Sequence, residues 1–75
     1  MADFASRLRE LRKERGYRQA DLATELGVAQ TTVANYEQHT RFPDETMLLK
    51  IANLFGVSLD YLLGRTDISL SLIHI

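Results

Sequence analysis

Residues 19–38 read QADLATELGVAQTTVANYEQ, two short helical patterns joined through a single glycine. Leu22, Ala23 and Leu26 mark the inner side of a first helix of about two turns, and Gly27 follows where a helix end needs a residue that tolerates left-handed backbone. In the second pattern, Ala29 to Gln38, Val33 and Tyr36 turn inward, while Gln30, Thr31, Ala34, Asn35 and Gln38 share the opposite face. That outer face is polar but uncharged. A tight turn makes the two helices cross steeply and leaves the second one projecting. The major groove of a duplex accepts one such helix, and amide and hydroxyl side chains are what read base edges there.

Working outward, the rest of the chain supplies a body to carry this pair. Asp3 to Arg15 sets Phe4, Leu8 and Leu11 at helical intervals behind a capping Asp3. Pro43 and Asp44 open a fourth helix, in which Leu48, Ile51, Ala52 and Phe55 follow the i, i+3, i+4, i+7 pattern, widened by Met47 and Leu54. Ser58 caps a last short helix running to Leu63. Its Leu59, Tyr61 and Leu62 are more apolar than so short a helix easily buries within its own subunit, so they are expected at a dimer interface. Gly16, Gly27, Gly56 and Gly64 each follow an amphipathic stretch. The expected fold class is all-α, a compact bundle of five short helices with a helix-turn-helix made by the second and third. Residues 1–64 form the domain and 65–75 an apolar tail, in which Ile68, Leu70 and Leu72 alternate with serines as in a strand. Such a strand finds a partner most economically in a second subunit, and the alternative, of equal weight, is an end that stays disordered.

A chain of 75 residues has room for one modest core. Hydrophobic residues at 45% and charged residues at 25% fit a globular protein rather than a disordered one. No stretch reaches the roughly 18 apolar residues of a membrane span, and Asp3, Arg7, Arg9 and Glu10 stand where a signal peptide would be apolar, so a cytoplasmic location is expected. There is no cysteine, and His39 and His74 lack neighbouring donors, so neither metal site nor cofactor is expected. No nucleophile with a recognisable base and no phosphate loop argues for an enzyme. A net charge of −1 weighs against nucleic acid, but up to Arg18 the cations Arg7, Arg9, Arg12, Lys13, Arg15 and Arg18 outnumber Asp3, Glu10 and Glu14. Local positive surface therefore survives.

The chain resembles the helix-turn-helix domains of lambdoid phage repressors and Cro proteins, the xenobiotic response element family. The resemblance extends to Gly64 and rests on dispersed positions: Leu8, Leu11 and Arg12; Gln19, Leu22, Ala23, Gly27 and Val28; Gln30, Val33, Tyr36 and Glu37; and, further on, Pro43, Leu48, Ile51, Ala52, Phe55, Gly56, Val57, Ser58, Leu59, Tyr61 and Leu62. It implies a homodimeric transcriptional regulator, a repressor, bound to an inverted-repeat operator in double-stranded DNA. Gln30, Thr31 and Asn35 would face the bases. Gln19, Thr32, Gln38 and Arg41 would touch the backbone, and Arg12 and Glu37 would form a structural ion pair; Arg18, which is no family residue, adds a cation for phosphate through its own charge. Gln and Asn offer adenine two hydrogen bonds, and Thr offers its methyl to thymine, which agrees with that assignment.

The departures carry information. Arg18 and Ala29 stand where the family commonly places hydroxyl or amide caps, so both helices of the motif read as undercapped. His39 replaces a frequent glycine, which implies left-handed backbone on the path to Arg41. An uncharged polar face taken alone is also the ordinary surface of a solvated helix. The alternative function is a protein-interaction module, such as an antitoxin holding a toxin with its apolar tail. An obligate partner and no affinity for duplex DNA would distinguish it.

Overall fold

Three of the five helices begin where a first-turn amide finds a side-chain acceptor. In the computed structural model, which describes residues 3–65, the order is α1 (Phe4–Glu14), α2 (Gln19–Leu26), α3 (Gln30–Glu37), α4 (Glu45–Phe55) and α5 (Leu59–Leu62), with no strand among the described residues. Asp3 accepts from the Ser6 amide at 3.0 Å, Asp44 from Met47 at 2.9 Å and Ser58 from Tyr61 at 3.0 Å. These are side-chain caps at the starts of α1, α4 and α5. Ala29 has no side chain to do this for α3, as its sequence implied.

α2 is less bare than its sequence suggested. Arg18 lacks an acceptor, but the Asp21 carboxylate reaches back and takes the Arg18 amide at 2.8 Å. One half of a reciprocal cap is therefore present. At the other end Gly27, at φ 73°, lets the Val28 amide return to the Ala23 carbonyl at 3.0 Å and turns the chain toward α3.

The apolar faces predicted from periodicity meet in one core. Leu8, Leu22, Val33, Ile51 and Leu62 are fully buried, drawing one residue from every helix. Each such side chain contributes about 1.5–3 kcal/mol through apolar area removed from water. α3 packs against both α1 and α2, and α5 bridges α1 and α4. This clamps the base of α3 while its far side stays open.

The core corrects one expectation. Leu62, expected at a dimer interface, has no accessible surface and belongs to the interior of its own chain. α5 is a single turn lying across α1 and α4, so the side chain that points inward is consumed by the fold. Leu59 and Tyr61 remain half-buried. Tyr61 is covered on one face by the Arg7 guanidinium, 3.9 Å from the ring centroid. Ile68, Leu70 and Leu72 lie outside the described residues.

Candidate nucleic-acid interface

The outer side of α3 follows from what its inner side must do. Val33, Tyr36 and Glu37 are buried, which fixes the rotation of the helix about its axis. Gln30 and Thr31 then stand exposed at its start, with Thr32 and Asn35 half-exposed behind them and Gln38 exposed just past its end. No charge interrupts this surface. Because Ala29 provides no cap, the first-turn amides of α3 have no side-chain acceptor from that residue, and they sit beside the polar face.

Glu37 holds the helix in this orientation. Its carboxylate, almost fully buried, accepts Arg12 Nε at 2.7 Å and Arg12 Nη2 at 3.2 Å, a two-pronged pair from α1. Arg12 Nη1 also donates to the Tyr17 carbonyl at 2.9 Å. The Gln19 amide nitrogen donates to Glu37 Oε1 at 3.1 Å, so all three helices meet on one carboxylate. Gln19 thereby spends one of its two N–H groups inside the protein and keeps one for an outside acceptor. Arg9 closes the network by donating from Nη1 to the Glu37 carbonyl at 3.2 Å, where a cation suits the negative end of α3.

Two exposed cations adjoin the motif in the chain. Arg18, with its side chain 83% exposed, stands at the start of α2 and is paired with Asp21 through Nε at 3.1 Å and Nη2 at 3.2 Å. Asp21 is held below its ordinary acidity range chiefly by this side-chain pairing and by the Arg18 amide. Arg41 is exposed in the loop after α3, where the Thr40 and Arg41 amides both fold back to the Asn35 carbonyl, at 3.0 and 3.3 Å. His39 does occupy left-handed backbone, at φ 64°, and its Nε2 lies 3.4 Å from Asp3.

Thus Gln30, Thr31, Thr32, Asn35 and Gln38 lie on the outer side of α3 or just past its end, Arg18 and Arg41 stand exposed on the segments that adjoin the motif in the chain, and the Arg12–Glu37 pair lies on the buried side. Sequence reasoning passed over Lys50 and Phe42. Lys50 Nζ donates to the Leu26 carbonyl at 3.0 Å and so pins α4 to the turn of the motif. Phe42 is 61% exposed, its ring edge-on to Phe4 with centroids 5.2 Å apart. The only available sign of Lys50 was a cation alone on the polar side of α4. No group of His, Asp and Glu suited to a metal ion occurs among the described residues.

A short helix with an uncharged polar outer face, held out by a glycine turn and braced from beneath by a buried ion pair, defines a helix-turn-helix protein. Residues 8–62 match the family Helix-turn-helix, and the chain belongs to it. It is 44% identical over 66 residues to the HTH-type transcriptional regulator ImmR of Bacillus subtilis, covering 88% of this chain and 52% of that protein. The P22 c2 repressor, solved with a synthetic operator, superimposes with a TM-score of 0.80 at 29% identity, over 88% of this chain and all of that one. A transcriptional regulator from Listeria innocua gives 0.79 at 36% identity, over 92% of this chain and 67% of that one. The architecture is therefore lambda-repressor-like, as the sequence led one to expect. The chain spans about half the length of the curated relatives it matches.

Proposed function

We propose that this chain is the DNA-reading part of a transcriptional regulator, a repressor, that works in the cytoplasm as a homodimer on an inverted-repeat operator. The observation that carries the reading is the exposed, uncharged face of α3 set on a buried carboxylate hub. Such a helix offers base edges hydrogen-bonding groups in a fixed orientation. Gln30, Thr31 and Asn35 serve as base-reading residues in this proposal, while Arg18, Gln19, Thr32, Gln38 and Arg41 contact phosphate. The operator in the P22 c2 complex and the regulator names of the relatives support the DNA-binding reading. No helix among the described residues is long and apolar enough to cross a membrane.

One eight-residue helix touches few bases, so a second copy is part of the proposal. Leu59 and Tyr61, half-buried on α5, with Ile68, Leu70 and Leu72 of the tail, are its proposed contacts. Selection of bound sequences from a random duplex library, followed by titration at several salt concentrations, tests the whole reading. Selected sites should show dyad symmetry with half-sites about one helical turn apart. Sites without symmetry, or saturation at one chain per duplex, refute the dimer, and absence of duplex binding refutes the function.

A further inference from the structure

We infer that Asp21 is a brake on backbone binding, acting through Arg18. The inference rests on the DNA-reading assignment above and adds to it a residue that tunes how much of the affinity is independent of sequence. Arg18 is the cation at the start of α2, one residue before Gln19, whose side chain bonds Glu37 of α3, and it is open to solvent. It is nevertheless not free. Two of its guanidinium nitrogens donate to the two carboxylate oxygens of Asp21, and its backbone amide donates to Oδ2 as well.

This geometry sets a competition. A phosphate that approaches Arg18 must displace or share the guanidinium with Asp21, and must then sit near a carboxylate of its own sign. An exposed pair of this kind is weak, so the exchange is allowed. It still subtracts from every complex, whatever the base sequence, because phosphate contacts carry no sequence information. Asp21 cannot simply be dispensed with, since the same carboxylate is the acceptor for the backbone amide of Arg18 itself. Cap and brake are therefore one group, and asparagine separates them: it keeps an oxygen for the amide and loses the charge.

The test compares the parent chain with Asp21→Asn, Arg18→Ala and the double variant. The probe is a labelled mixed-sequence duplex of about 20 base pairs, long enough for two half-sites. Urea denaturation verifies that each variant is folded, and Asp21→Ser, which also retains a cap acceptor, substitutes if Asn is not. Asp21→Asn should bind more tightly and with a steeper salt dependence. One fully recovered phosphate contact corresponds to a slope change of about 0.9, so the advantage should shrink about threefold between roughly 50 and 200 mM salt. The advantage should vanish when Arg18 is alanine. If it persists there, Asp21 acts as a general charge and not through Arg18, and the inference fails. Equal binding by parent and Asp21→Asn also overturns it while leaving the DNA reading intact. If no chain binds any duplex, the DNA reading itself falls, and the brake with it.

Discussion

Replacing Glu37 with Gln removes one charge and almost no volume, and it probes the hub that joins α1, α2 and α3. In the native chain Arg12 and Glu37 have side chains 12% and 3% exposed, so neither charge recovers much hydration when its partner is lost. Removing one member of a buried pair costs about 3–5 kcal/mol, because the remaining charge is left uncompensated. Gln keeps an oxygen for Arg12 Nε, and Arg12 keeps the Tyr17 carbonyl, which places Glu37→Gln at the lower end, about 3 kcal/mol. A domain of this size has a urea slope of about 1 kcal/mol per molar, so the midpoint should fall by about 3 M. A fall of less than about 1 M would show that the pair contributes no more than an exposed one. The double change Arg12→Met with Glu37→Leu separates stability from geometry. It should recover most of the lost stability, since apolar replacement of a buried pair is often neutral or favourable, yet duplex binding should remain weak because Gln19 has lost its anchor.

The open start of α3 gives a second expectation: Ala29→Ser should raise stability by about 0.5–2 kcal/mol in chemical denaturation, and no gain would mean that the amides already have partners. Gln30→Ala and Asn35→Ala should each cost about 1–3 kcal/mol on the selected operator and relax base preference at one position, with the salt slope unchanged. A uniform loss across all sequences would reassign them to the backbone. His39→Gly should stabilise by about 0.5–1 kcal/mol, because left-handed backbone costs a residue with a side chain about 1–2 kcal/mol and glycine returns only part of that in chain entropy; a loss in thermal unfolding would show that the contact with Asp3 outweighs the strain. The Asp3 carboxyl is held below its ordinary range first by the Ser6 amide and to a lesser degree by His39. Its contribution is therefore full above about pH 4 and is lost as pH falls through the lowered value, so Asp3→Asn should flatten the acid limb of the stability profile.

How much of this was legible depended on whether the cause was local. Leu8, Leu22, Val33 and Ile51 could be assigned to the core because helical spacing alone puts them on an inner face. Gly27 and Gly56 could be placed at helix ends because their positive φ is a property of one residue. His39 yielded to the same reasoning in reverse. Leu62 did not, because an apolar residue on a one-turn helix can face its own core or a second subunit, and only the packing of α5 across α1 and α4 decides between them. Asp21 was equally opaque: it sits where a cap partner belongs, but its hold on the Arg18 guanidinium depends on a side-chain rotamer.

The deepest gap lay in the helix ends. A sequence reader looks for Lys or Arg in the last turn of a helix, where a cation meets unpaired carbonyls and the negative end of the dipole. α2, α3 and α4 have none there. The structure supplies the cations from elsewhere: Lys50 of α4 donates to Leu26 at the end of α2, Arg9 of α1 to Glu37 at the end of α3, and Arg15, just after α1, to Leu54 near the end of α4 at 2.9 Å. Each long side chain read in isolation was a solvated charge. Together they turn three local deficits into three tertiary ties, two of which converge on the helices of the motif. The basic N-terminal run that kept a nucleic-acid reading open is thus only partly free for phosphate. Arg9 and Arg12 hold α3 in place and Arg15 holds α4, while in the proposed complex the backbone is left to Arg18 and Arg41 with the polar residues around α3. A net charge of −1 is compatible with that proposed division, because base reading by Gln30, Thr31 and Asn35 would rest on hydrogen-bonding geometry and not on the total of positive charge.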